Sequence, residues 1–199
     1  MSSSTRADFK VPMLLLALSF VPVLGGVARF YSLLGGESVS ADDARFFGAP
    51  APVVIHIGAA TLYAVLGAFQ FSAGIRSRWR RWHRRAGVLL VVCALLAGAS
   101  GIWMTMAYAI PSSLQGPLLY AVRLLVGVAM LASIVKAWRS AARRELAQHE
   151  AWMIRAYALA QGAGTQALMM LPVALIWGPV LGLVRDLVMT AAWLLNWGV

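Results

Sequence analysis

Long apolar runs separated by short polar breaks dominate the chain. A helix crosses the hydrocarbon core of a bilayer with about 20 predominantly apolar residues. Runs of that order fall at about 11–34, 53–73, 86–110, 118–135, 151–171 and 175–198. The first opens after a polar start carrying Arg6 and Lys10, and it outlasts the core of a cleaved signal peptide, so it reads as a retained span. Between the first two runs lies a polar loop with Glu37, Asp42, Asp43 and Arg45, ending in Gly48-Ala49-Pro50-Ala51-Pro52. A short turn, Pro111 to Pro117, separates the third and fourth runs, and the fourth is followed by a polar helical stretch through His149. Pro172 is expected to close the fifth run. Gly178-Pro179 and Arg185-Asp186 interrupt the last, which reads as a sixth span or as a shallow re-entrant segment. The pattern predicts one all-α integral membrane domain over residues 1–199, a bundle of about six helices.

Composition agrees. Of 199 residues, 61% are hydrophobic and only 12% charged, more apolar surface than a soluble domain of this size can bury. The net charge of +10 resembles a nucleic-acid signal until its distribution is considered. Arg76, Arg78, Arg80, Arg81, Arg84 and Arg85 fill one loop, and Lys136, Arg139, Arg143 and Arg144 a second. Both loops flank apolar runs, where basic residues mark the cytoplasmic side. With both loops inside, both termini are cytoplasmic; the inner side then carries 13 basic and 3 acidic residues against 4 of each outside. That asymmetry points to the bilayer and anionic lipid at the cytoplasmic face as partners, and away from nucleic acid. The single cysteine, Cys93, excludes an intrachain disulfide.

Polar residues near or within the spans are the candidates for function, because lipid makes them costly. Gln70, His83, Arg84, His149 and Arg155 lie near the inner boundary; Arg29, His56 and Arg123 lie near the outer one. A gap of 27 residues, roughly 40 Å if helical, separates His56 from His83, so one three-histidine metal centre is not expected. His83 and His149 each open an outward-running span at the same face. Two imidazoles at equal depth suit bis-histidine haem ligation, or two ligands of a transition-metal site that needs a third. Gly87, one turn after His83, leaves room for a flat ring, and Arg84 or Arg155 suits a haem propionate. The plainer reading of the same end is anchoring: Trp79, Trp82, Trp138 and Trp152 form an interfacial belt, with the histidines as headgroup or hydrogen-bond contacts. The outer residues likewise read two ways, as a cavity with His56 and Arg123 serving a proton or anion, or as side chains that snorkel or pair with Asp42 and Asp43. Ala97, Gly98 and Gly101, and again Gly162 and Gly164, form small-residue stripes suited to close helix contact.

The run His56-Ile57-x-x-Ala60, Leu66-Gly67-x-Phe69-Gln70-Phe71, Arg76-x-Arg78, His83-Arg84-x-x-Gly87 and His149-x-x-Trp152-Met153-Ile154-Arg155-x-Tyr157-Ala158-Leu159 resembles a bacterial family of predicted multi-pass membrane proteins, domain of unknown function 2306. The resemblance covers about 53–171. It implies a helical inner-membrane protein with Gln70, His83, Arg84, His149 and Arg155 as motif positions, and it supplies no activity. Glu150 stands where the family pattern implies a basic residue.

Three functional expectations follow. The first is electron transfer through haem b or a transition metal at His83 and His149, with Arg84, Arg155 and Gln70 around it. The second is a non-enzymatic accessory subunit that packs against partner helices, or against a second copy of itself, and binds anionic lipid. The third is transport, with His56 and Arg123 lining an outward cavity.

Overall fold

A computed structural model describes residues 3–35 and 43–198, and side chains from residue 9 onward within that range. All regular elements among the described residues are helical: α1 (Ser3–Gly35), α2 (Ala44–Gly48), α3 (Pro50–Ala68), a 3-10 turn (Phe69–Phe71), α4 (Ala73–Arg78), α5 (Arg80–Ala107), α6 (Pro117–Ala142), α7 (Leu146–Ala160), α8 (Gly162–Trp177) and α9 (Gly182–Trp197). Five segments are long and apolar enough to cross a membrane, namely Phe9–Gly35, Pro50–Phe71, Arg80–Ala107, Pro117–Ala142 and Leu146–Trp177.

Local chemistry sets the helix ends. Pro50 and Pro117 sit in the first turn of α3 and α6, where the missing N–H costs nothing and φ is already helical. Ser72 caps α4 by accepting from the Ile75 N–H at 3.3 Å. The polar stretch after the fourth run is not one continuous helix. Arg144 turns left-handed (φ 62°), and the Glu145 and Arg144 N–H groups donate back to the Ser140 and Ala141 carbonyls. This doubly bonded stop satisfies the last carbonyls of α6 and folds α7 back along it, with an arginine where glycine is usual.

Pro172 does not close the fifth run. The helix continues through it to Trp177, as lipid-embedded helices tolerate when neighbours and local adjustments absorb the missing bond. Gly178, at φ 82°, ends α8 instead, and Gly182, at φ 59°, opens α9. The sixth run therefore divides: residues 175–177 belong to α8, and α9 has 16 residues. At 1.5 Å per residue that is roughly 24 Å, short of a hydrocarbon core of about 30 Å.

The five spans pack in a closed circuit: α1 on α3, α3 on α5, α5 on α6, α6 on α7, and the α8 continuation of α7 back on α1. α9 lies against α8, α6 and α7. Small residues permit the closest approaches. A Cβ on Gly98 would meet Leu131 at 2.8 Å, one on Gly127 would meet Ile102 at 2.7 Å, and one on Gly164 would strike the Leu18 carbonyl. Polar side chains cross the bundle at the α7–α8 joint: Gln161 Nε2 donates to Ser19 Oγ at 2.9 Å, Thr165 Oγ1 to Asn196 Oδ1 at 3.0 Å, and Asn196 Nδ2 to the Ala158 carbonyl at 3.0 Å. The core runs through Tyr63, Leu90, Ala94, Ile134, Ala156 and Tyr157, while large apolar side chains such as Leu14, Leu125 and Leu175 face outward, as lipid requires.

Candidate functional site

α5 and α7 barely touch, because α6 lies beside both and holds them apart. Between them, at the arginine-rich end, opens a cavity of about 460 Å³ that also reaches α3 and the 3-10 turn. Four of the five inner-boundary residues line it: Gln70, His83, Arg84 and His149. The 3-10 turn, which follows directly on α3, delivers Gln70; the first and second turns of α5 deliver His83, Arg84 and Gly87; the first turn of α7 delivers His149.

Arg155 does not join them. It lies six residues beyond His149, which rotates it about 240° around α7. Its guanidinium instead stacks 4.8 Å from the Trp152 ring centroid, over a different groove.

The cavity wall is apolar, yet it holds polar groups without partners. His149 Nδ1 donates to the Ala137 carbonyl at 3.0 Å, which fixes the ring and leaves Nε2 as its free nitrogen. Tyr63 Oη, Gln70 Nε2 and His83 Nδ1 are buried without a hydrogen-bond partner. Such groups are costly in an apolar setting, and three of them lining one cavity mark a place for a ligand or ordered water. Tyr157 closes the inner end. Its hydroxyl donates to the Ala64 carbonyl at 2.6 Å, and its ring packs against Tyr63 (5.4 Å between centroids) and Phe71 (4.9 Å). Gly67 permits this, since a Cβ there would come within 2.7 Å of the Tyr157 ring. At the rim, Arg76 pairs with Glu150 at 2.7 Å, which explains the acidic residue beside His149. From the sequence Tyr63 was not singled out, and Tyr157 stood only within the motif after His149, with no role given to it. Their signal is spacing, two turns beyond His56 and His149 respectively.

The outer trio stays apart. His56 Nδ1 lies 2.9 Å from the Ala97 carbonyl and 3.2 Å from Ser100 Oγ, under Gly101, and locks α3 to α5. Arg29 pairs with Asp43 at 2.7 Å and lies over the Phe46 ring; Asp42 falls outside the described residues. Arg123 donates to Gln115. None of these three lines the cavity between α5 and α7. Asp186, only 2% exposed, accepts from the Gly116 and Leu119 N–H groups and so caps α6 from α9. Among the described residues no group of three or more His, Cys, Asp or Glu side chains is placed to hold a metal ion.

The family described as a predicted membrane protein (DUF2306) matches residues 53–199, from within the first turn of α3 onward. The chain belongs to that family. No curated protein and no solved structure matches it. The match takes in α3, α5, α6 and α7, and with them every wall of the cavity, so the site lies within the DUF2306 region while α1 precedes it.

Proposed function

We propose that this DUF2306 protein is a membrane electron-transfer protein, and that His83 and His149 would hold haem b in the cavity between α5 and α7. The observation that carries the reading is the pair of imidazoles on helices held apart across one apolar cavity. The residues fit the group in three further respects. His149 donates its other ring nitrogen to a backbone carbonyl, the usual support for a ligating histidine. Gly87 lines the cavity with open space where a Cβ would stand. Arg84 at the rim is free of the ion pair that occupies Arg76, and suits a propionate. Bound there, haem supplies a one-electron couple. The chain's own part is to orient His149 through Ala137, to exclude water with Phe71, Tyr63 and Tyr157, and to place charge at the rim through Arg84. With two protein ligands in view, haem suits the donor set better than a bare transition-metal ion, which needs a third.

A second reading rests on the unpartnered Tyr63 hydroxyl and Gln70 amide, which would donate to the carbonyl oxygens of an apolar organic ligand. Absorption spectra of the detergent-purified protein, oxidised and dithionite-reduced, separate the two. Haem ligation predicts sharp reduced bands that disappear in both His83→Ala and His149→Ala. A flat spectrum in protein reconstituted with haem, together with an extractable organic compound lost in Gln70→Leu, would replace the first reading with the second.

A further inference from the structure

A second groove, also about 460 Å³, opens between α6, α7 and α9 and is separate from the cavity above. Its walls combine two cations with an apolar floor. Lys136 Nζ lies 4.2 Å, and the Arg155 guanidinium carbon 4.8 Å, from the centroid of the same Trp152 ring. Both cations are exposed, and neither forms an ion pair with a carboxylate among the described residues. Two like charges drawn to one ring repel each other. An anion that touches both relieves that repulsion and gains two charge-assisted hydrogen bonds. Beyond the cations the groove is floored by Ala129, Ala132 and Leu159, where the membrane would supply acyl chains. Arg155 was grouped with His83 and His149 in the sequence; the structure turns it to this face, where it has no part in the first cavity.

We propose that Lys136, Arg155 and Trp152 form a binding site for the phosphodiester of an anionic phospholipid, its glycerol and chains lying along Ala129, Ala132 and Leu159. The site selects negative net charge: a zwitterionic headgroup brings its own cation into a place that already holds two. Trp152 is the ring against which both basic groups rest in the wall of the same groove. This proposal stands independently of the haem reading.

The test uses the full-length protein in a neutral detergent, with native mass spectrometry to count bound phosphatidylglycerol across a titration, phosphatidylcholine as comparison, and inorganic phosphate in a separate arm. Wild type is expected to retain one tightly held phosphatidylglycerol. Lys136→Gln/Arg155→Gln weakens it by about tenfold or more, and Arg139→Gln/Arg143→Gln, which removes equal charge from the end of α6 just beyond the site, leaves it in place. Lys136→Arg/Arg155→Lys keeps both charges and should keep the lipid. Because both side chains are exposed, the neutral variants should fold; Lys136→Gln alone serves if the double variant is not recovered. Equal retention by wild type and the glutamine variants, or loss in the charge-preserving pair, overturns the site. Displacement of the lipid by millimolar inorganic phosphate, with the same dependence on Lys136 and Arg155, overturns the lipid and assigns the site to a soluble phosphate.

Discussion

Asp186 anchors the α9 return, and its removal should be among the most damaging single changes outside the core. The carboxylate is 2% exposed; Oδ1 accepts from the Gly116 N–H at 3.1 Å and Oδ2 from the Leu119 N–H at 3.2 Å. Arg123 and Arg185 both feel its charge. Asp186→Ala strips two charge-assisted hydrogen bonds from the first turn of α6 and leaves two N–H groups with no acceptor. Losing a single cap costs about 1 kcal/mol, and each hydrogen bond to a charged group about 1.5–3 kcal/mol, with the two overlapping because one side chain makes both. The expected loss is about 2–4 kcal/mol. Asp186→Asn keeps one acceptor oxygen and should lose about half as much. Unfolding in mixed micelles by titration with a denaturing detergent, followed by tryptophan fluorescence, measures both. An alanine variant within about 0.5 kcal/mol of wild type, the range of an ordinary surface change, would refute the reasoning, as would an asparagine variant no better than alanine.

Two further changes test the packing around the cavity. Gly67→Ala places a methyl against a Tyr157 ring that is held by its bond to Ala64 and by two neighbouring rings, so the ring cannot simply swing aside; a loss of about 1–3 kcal/mol is expected in the same assay, together with weaker occupancy of the cavity. The Arg76–Glu150 pair, with side chains 38% and 54% exposed, should show a coupling below about 1 kcal/mol in a double-mutant cycle, which would make Glu150→Gln nearly neutral for stability.

How much of the site was legible along the chain depended on how far each inference had to reach. That His83 and His149 share a face followed from counting spans, because each opens an apolar run after a basic stretch, and the topology then leaves no choice of side. Gly67 illustrates the opposite case. The motif around it marks the position but not its role, which is to admit the ring of Tyr157, ninety positions away on another helix. The outer trio shows the same limit, although pairing of these residues with the loop acids was one of the two readings and Arg29 does pair with Asp43. His56, Arg29 and Arg123 share a depth, but depth is one coordinate of three, and their bearings around the bundle send each to a separate partner.

The sequence by itself determined the class of the molecule: runs of about 20 apolar residues must hydrogen-bond their own backbone in lipid, so they become helices, and polar breaks separate them. Those are local or one-dimensional constraints. The tertiary structure decided what a one-dimensional pattern does not encode, namely the rotation of each helix about its axis and which helices touch. Rotation sent Arg155 away from His149, although six residues separate them. Packing kept α5 and α7 apart to leave a cavity, and Asp186 on the first turn of α6, with Arg185 on the Leu114 carbonyl in the turn before it, tied the start of a 16-residue α9 to the bundle.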